Sequence, residues 1–353
     1  MLRKLLSRIY YRFPARMPYL GYAFPCRNVV FELIYTCNLN CVMCPYAAEM
    51  RHEEPRGSDC KPLTKDEIAG LLQCFPKGST ITFTGGEPFL KEGILDILEK
   101  ATERHKVTIA TNGTLFNDDI IEKMVRWGVQ LIGVSIDGPK DIHNEIRRDP
   151  QAYDKAISAV RKIAEQKKAM NSEYPRLNLN GVILASNFDQ LYKNIELAKE
   201  IGADSCTFQV CDPSWNRSAW RLSEKIEVAE KTIQKVDSIE REKLTSALEH
   251  ILSASEEFKI AVNFMPQLSV KEIVAYYDNK FDMKKWYCLE PWSTMRISPY
   301  GDVFPCLNFK IGNIREHKLA KLWNSANYKR FRKTLRKSTL FDSCVGCCKM
   351  SKK

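Results

Sequence analysis

Cys37, Cys41 and Cys44 are spaced C-x3-C-x2-C in a loop that leaves a short β-rich run. Three thiolates can hold three irons of a cubic four-iron cluster, which leaves the fourth iron open to a ligand. A closed zinc site asks for four ligands, commonly as two C-x2-C pairs, and cysteines that merely fill a core have no reason to keep this spacing. One β/α unit later comes Thr84-Gly85-Gly86-Glu87-Pro88. Glycines at a strand end let backbone groups approach a ligand closely, Glu87 can fix the turn, and Pro88 stiffens the exit. A third set, Cys288, Cys306, Cys344 and Cys347, lies near the C-terminus. Gly301 is a hairpin-turn candidate between residues 295–297 and 303–304, which would bring Cys288 and Cys306 together, and Cys344-x2-Cys347 closes the set. Four thiolates leave no iron open. A four-cysteine zinc knuckle is the alternative reading of this tail, and Cys348 could stand in for Cys347.

These groups need a frame that brings them to one place. From residue 29 to about 210 short β-rich runs, near 29–34, 80–84, 107–111, 131–135, 177–183 and 206–210, alternate with helical patterns at 65–75, 92–103, 117–127, 151–167 and 188–201. Six such units imply an α/β fold: a parallel sheet in a partial (β/α)6 TIM-like barrel, with ligands at the C-terminal strand ends and a small cysteine-rich C-terminal extension. The expected organisation is a basic amphipathic segment at 1–26, a core at 27–215, a helical bridge at 216–280 and the extension at 281–353.

The 353 residues, 44% hydrophobic and 27% charged, suffice for a large core plus an appendix. Thirteen cysteines without a secretory leader before them point to a reducing, cytoplasmic setting and to metal ligands rather than disulfides. No apolar run is long enough to span a bilayer. The net charge of +11 suits anionic partners, but much of it sits in the two termini. Leu2, Leu5, Leu6, Ile9 and Tyr10 fall at helical spacing with basic residues between them; that face either packs on its own domain or makes peripheral contact with a membrane or partner. Cys74 lies on an apolar helix face and is expected in the core. Cys211, after the sixth run and followed by Asp212 and Trp215, is the candidate catalytic side chain on the substrate face. Arg147 could meet a ligand or form a surface ion pair.

The three-cysteine loop and the Gly-Gly-Glu-Pro strand end make residues 27–210 similar to the radical S-adenosylmethionine (SAM) superfamily. The resemblance implies that the open iron chelates the amino and carboxylate groups of SAM, and that Gly85, Gly86, Glu87 and Pro88 meet its amino group. It extends to Thr111-Asn112-Gly113 and Ser135-Ile136-Asp137-Gly138, where such enzymes contact the SAM carboxylate or ribose, and to Asn180 and Val182 for ribose and adenine. Met43 stands where the family often has an aromatic residue, and its backbone can still meet adenine. The tail resembles the extensions called SPASM and twitch, which carry auxiliary clusters. Because the chain stops five residues after Cys348, one auxiliary four-iron cluster, as in the twitch type, is expected.

The implied reaction takes one electron from an external donor such as flavodoxin or ferredoxin, splits SAM, and uses the 5′-deoxyadenosyl radical to remove hydrogen from a carbon. A closed auxiliary cluster can accept an electron, which favours dehydrogenation of a small molecule. The alternative, a peptide cross-linking maturase, is weakened because 36 residues before Cys37 are few for a peptide-recognition domain. A zinc or nucleic-acid-binding protein is the reading from another class; it would need four-ligand sets and basic stripes with stacking aromatics, and the first cysteine set lacks its fourth member.

Overall fold

The computed structural model describes residues 13–15, 21–44, 61–212, 237–306 and 309–353. The amphipathic first dozen residues, Cys60, Trp215 and the first part of the charged segment lie outside these.

Strands and helices alternate as β1 (Asn28–Glu32), α1 (Lys65–Gln73), β2 (Thr80–Thr84), α2 (Ile94–Thr102), β3 (Lys106–Thr111), α3 (Asp118–Arg126), β4 (Leu131–Ser135), α4 (Lys140–Arg147), α5 (Ala152–Ala169), β5 (Arg176–Ile183), α6 (Lys193–Ile201), β6 (Ser205–Val210), α7 (Arg241–Phe258) and β7 (Ala261–Met265). Local chemistry starts several of them. Thr64 and Glu67 form a reciprocal capping box at α1, and Asn117 accepts from the Ile120 amide at α3. Neighbouring strands from β1 to β7 all run parallel. The six expected strands lie within a residue or so of their anticipated positions.

One helix and one strand pairing depart from the sequence reading, which places a short strand near 260–264 but outside the parallel sheet. Helix α4 was not expected, because a single eight-residue stretch bounded by Pro139 and a left-handed Arg148 carries too few apolar positions to register as a period. The described part of the helical bridge contains α7, which crosses over to β7, and β7 pairs parallel with β6. From β1 onward the parallel run therefore counts seven strands rather than six.

The tail continues through α8 (Val270–Tyr277), β8 (Trp286–Tyr287), α9 (Glu290–Ser293), β9 (Thr294–Ile297), β10 (Asp302–Phe304), β11 (Gly312–Asn313), α10 (Leu319–Trp323), α11 (Ala326–Ser338) and β12 (Ser351–Lys352). The hairpin expected around Gly301 forms, with φ of +84° at that glycine and Val303 opposite Ile297. It is not a detached appendix: β9 pairs parallel with β1, giving a ten-stranded sheet ordered β11-β10-β9-β1-β2-β3-β4-β5-β6-β7.

One face of the sheet is apolar. Phe31, Phe83, Ile109, Val134, Leu179 and Phe208 are buried there against helix residues such as Leu72, Ile97, Met124, Val160 and Ile195. The other face is polar and only partly covered. Cys74, expected in the core, is instead exposed at the end of α1, whereas Cys26 and Cys206 are buried. Among the described residues no helix is long and apolar enough to cross a membrane.

Arg332 of α11 is fully buried and ties the chain's beginning to its tail. It donates to the carbonyls of Pro291 (2.7 Å) and Gly21 (3.1 Å) and to Asn324 Oδ1 (2.9 Å), between the rings of Trp323 and Tyr328. Burial pulls its pKa down to about 10, which leaves it charged at neutral pH. Arg332→Ala would strand buried acceptors and should lower stability by about 3 kcal/mol in urea unfolding. A loss below about 1 kcal/mol would mean that the surrounding rings suffice.

Candidate active site

The cysteine loop is clamped along the end of β2. Leu33 N donates to Thr84 O (2.8 Å), Gly86 N to Ile34 O (2.6 Å) and Glu87 N to Thr36 O (3.0 Å). A Cβ at Gly85, where φ is +133°, would lie 2.3 Å from the Ile34 carbonyl oxygen, and one at Gly86 would lie 2.1 Å from that of Thr36. Both glycines thus admit the stem of the loop, so that a side chain at either would have to displace the backbone of residues 34–36. Glu87 does fix the turn. Its buried carboxylate accepts from Phe89 N (3.2 Å), Thr111 Oγ1 (2.8 Å) and Asn112 N (2.9 Å), so it joins the ends of β2 and β3 rather than facing outward. Burial raises its pKa, and those donors oppose the rise.

Asn112 continues the chain of contacts. Its Nδ2 donates to Asn38 Oδ1 (2.9 Å) and lies 3.8 Å from Cys37 Sγ, while Asn38 donates to Thr114 Oγ1 (2.8 Å). Leu39, Cys41 and Ala152 form a small apolar cluster against which Cys37, Met43 and Cys44 pack. None of the three is in a disulfide.

Helix α4, the element missed in the sequence, holds the loop from the other side. Ile146 O accepts from Val42 N (2.9 Å), and Arg147 Nη1 donates to Cys41 Sγ (3.5 Å). Arg147 is not a surface residue: its Nε donates to Asp137 Oδ2 (2.6 Å) within a buried ion pair. Burial disfavours its charge, but Asp137 and Cys41 outweigh that and raise its pKa. The other Asp137 oxygen accepts from Val182 N (3.0 Å), and Asp137 N donates to His143 Nδ1 (3.1 Å). Asp137 is therefore an internal tie between β4, β5 and α4.

On the polar face, register aligns Ser135, Asn180, Thr207 and Asn263 across β4 to β7, with Val182 and Gln209 one layer above. Asn178 donates to Asn180 (2.5 Å) and accepts from Ser205 (2.6 Å) and Thr207 (3.2 Å). Where β1 meets β9, Glu32 pairs with Arg296 (3.2 Å) and accepts from Tyr35 OH (3.0 Å). None of Glu32, Tyr35 or Arg296 was singled out from sequence. A lone Glu among Val and Phe in a strand was the available signal, because a charge there requires a buried partner.

The tail gathers its own cysteines. Cys288 lies within electrostatic reach of Cys344 and Cys306, and Cys347 within reach of Cys344. Cys347 N also donates to Cys344 O (3.0 Å). Cys347 and Cys348 share a hydrogen bond that raises the first thiol and lowers the second. Cys211 sits beside the tail set, because Tyr276, which bonds its carbonyl, also lies against Gly346 next to Cys347. Its amide and carbonyl bond to Tyr277 and Tyr276 of α8 (3.0 and 2.5 Å), and burial, with Asp212 and Asp237, pushes its thiol up to about 11. It is protonated at neutral pH, which argues against thiolate chemistry.

An all-sulfur set of three and another of four fit iron-sulfur clusters. Among the described residues no three His, Cys, Asp or Glu side chains converge as one ion would require; each thiolate of a cubic cluster takes its own iron and stands further from the others than ligands of a single zinc.

His143, lowered to about 4 by burial with Arg147 assisting and Asp137 opposing, yields a pH prediction. Its folded pKa lies below the unfolded value of about 6.5, so its contribution is complete above pH 6.5 and disappears as pH falls toward 4. Between pH 7.5 and 5 the loss should be about 2 kcal/mol, read by anaerobic urea unfolding. His143→Gln should flatten that dependence; an unchanged slope would assign it to other groups. A second prediction concerns the glycine clamp: Gly86→Val should displace the loop stem, lowering both thermal stability and SAM affinity. A variant of native stability that lost only affinity would contradict the clamp.

Comparison with known proteins agrees with this geometry. Residues 31–175 match the model of the radical SAM superfamily, and residues 288–348 match SPASM, an iron-sulfur cluster-binding domain. The chain is 29% identical over 336 residues to an AdoMet-dependent heme synthase of Methanosarcina barkeri, covering 92% of this chain and 89% of the relative. It is 26% identical to a PqqA peptide cyclase of Granulibacter bethesdensis, over 86% of this chain and 75% of that one. The fold also matches Streptococcus suis SuiB bound to S-adenosylmethionine, with a TM-score of 0.63 and 18% identity, covering 93% of this chain and 72% of SuiB. Its cofactors are accordingly SAM and four-iron clusters. With its three-cysteine loop, parallel sheet and cysteine-rich tail, the chain belongs to the radical SAM superfamily and carries a C-terminal SPASM domain.

Proposed function

We propose that Cys37, Cys41 and Cys44 ligate the SAM-binding cluster, that Cys288, Cys306, Cys344 and Cys347 ligate an auxiliary four-iron cluster, and that the enzyme dehydrogenates a polar small molecule. The loaded site, given one electron from a flavodoxin- or ferredoxin-type donor, supplies a carbon-centred radical that removes hydrogen from an unactivated carbon. The chain's own work is alignment. Backbone groups at Met43 and Gly85–Pro88, with Ser135, Asn180 and Val182, hold SAM; Glu87, Asn112 and Asp137 act from behind by fixing the strand ends that carry those groups.

The observation that carries the small-molecule reading is the polar face. Closed barrels fill their interiors with branched aliphatic side chains, whereas this one presents Ser135, Asn180, Thr207, Asn263 and Gln209 in register. Those beyond the SAM contacts, Thr207, Asn263 and Gln209, offer hydroxyl and amide groups to the hydroxyl or carboxylate groups of a small substrate, which the Arg296–Glu32 pair would orient further. Similarity to a heme synthase along nearly the whole chain supports a small-molecule product. A peptide substrate is the second reading, favoured by the similarity to the PqqA peptide cyclase.

Incubating reduced enzyme and SAM with fractionated cell extract should yield 5′-deoxyadenosine together with a small molecule about 2 Da lighter, the mass of two hydrogens. A mass-shifted peptide instead would favour the second reading. Replacing Cys37, Cys41 and Cys44 by Ala should abolish deoxyadenosine formation while the tail retains iron; undiminished cleavage would overturn the ligand assignment. Reconstituted protein should hold about eight irons, falling toward about four when Cys288, Cys306, Cys344 or Cys347 is replaced, with SAM cleavage retained and substrate turnover lost. About four irons plus zinc in the unmodified protein would refute the auxiliary cluster and the oxidation built on it.

A further inference from the structure

We infer that Arg147 tunes the reduction potential of the SAM-binding cluster, acting as a positioning residue through the sulfur of Cys41. The inference rests on the reading that Cys41 ligates that cluster. Arg147 has two fixed engagements. Its Nε and Nη2 both meet Asp137 Oδ2 (2.6 and 2.5 Å), and its Nη1 points to Cys41 Sγ at 3.5 Å. Asp137 cannot move to follow it, because the second carboxylate oxygen is held by Val182 N and its carbonyl by Asn187 Nδ2 (2.9 Å). The helix that carries Arg147 is itself joined to the loop through Val42 N and Ile146 O.

An ion pair this well buried is costly to desolvate, and apolar residues of similar volume often serve stability as well or better. What an apolar pair cannot do is aim an N–H and a positive charge at one sulfur. Hydrogen bonds to ligand sulfurs and local charge are among the determinants of cluster potential. A donor and cation at Cys41 favour the more negative, reduced cluster, so they raise its potential and ease electron entry. Asp137 tempers that charge while holding the fork in place, which separates this role from simple ligand binding by Arg147.

The test is a redox titration followed by EPR on anaerobically reconstituted full-length enzyme. Arg147→Met, and the charge-balanced Asp137→Asn/Arg147→Met pair in case the single variant leaves a buried carboxylate that prevents folding, should lower the midpoint of the SAM-binding cluster by about 60 mV or more, a tenfold change in the one-electron equilibrium. Arg147→Lys, which keeps charge without the fork, should fall between. The auxiliary cluster's midpoint should not move. An unchanged midpoint in variants that retain the EPR signal and full iron content would overturn the inference, including when SAM affinity alone has dropped. Loss of the signal on Cys41→Ala establishes independently that the ligand reading holds; persistence of the signal in that variant would fail the ligand reading itself.

Discussion

Asp137 is wholly excluded from solvent, and a carboxylate in that position is tolerable only when its lone pairs meet donors and its charge meets a cation. Each requirement recruits a different part of the chain. Val182 N brings β5, Arg147 brings the end of α4, and the backbone of Asp137 itself engages His143 and Asn187. Because Arg147 also reaches Cys41, satisfying this one carboxylate fixes the floor of the cysteine loop relative to two strands of the sheet. Glu87 repeats the device on the opposite side, where its carboxylate binds Thr111 and the Asn112 amide and so joins β2 to β3. The loop is thus held between two internal carboxylates, and neither is left for direct contact with a ligand.

The sheet separates structure from chemistry by face. Alternation places Phe, Ile, Val and Leu on the side packed by helices and Ser, Thr, Asn and Gln on the other. In a closed barrel the inner positions would have to fill the interior. A sheet with edges at β11 and β7 has no such demand, so its polar face can remain accessible. The tail then contributes to that face from the other direction. β9 brings Arg296 beside Glu32, and Glu67 of α1, held at about 2 by its hydrogen bonds to Arg315, ties the tail to the first helix. The loop carrying Cys37, Cys41 and Cys44 and the hairpin leading to Cys306 thus leave the same sheet, whereas Cys288 and Cys347 flank the separate β8–β12 pair.

Much of this was legible locally. Alternation and turn residues located six parallel strands, and Gly301 identified the hairpin, because each is a property of a few consecutive residues; the spacing of Cys37, Cys41 and Cys44 singled them out as candidates on the same local basis. What the chain could not reveal depends on distance in sequence. Gly85 and Gly86 read only as openings toward a ligand, because the loop stem that also requires them lies far earlier in the chain. In sequence Arg147 reads as either a ligand contact or a surface ion pair, because its two partners lie 10 and 106 positions away. Cys74 read as core because helical periodicity reports which residues share a face and not whether that face is covered. The sequence by itself determined the strands and the cysteines that follow them; the tertiary structure decided which charges are buried together, since pairing energies depend on who is nearby once water has been removed.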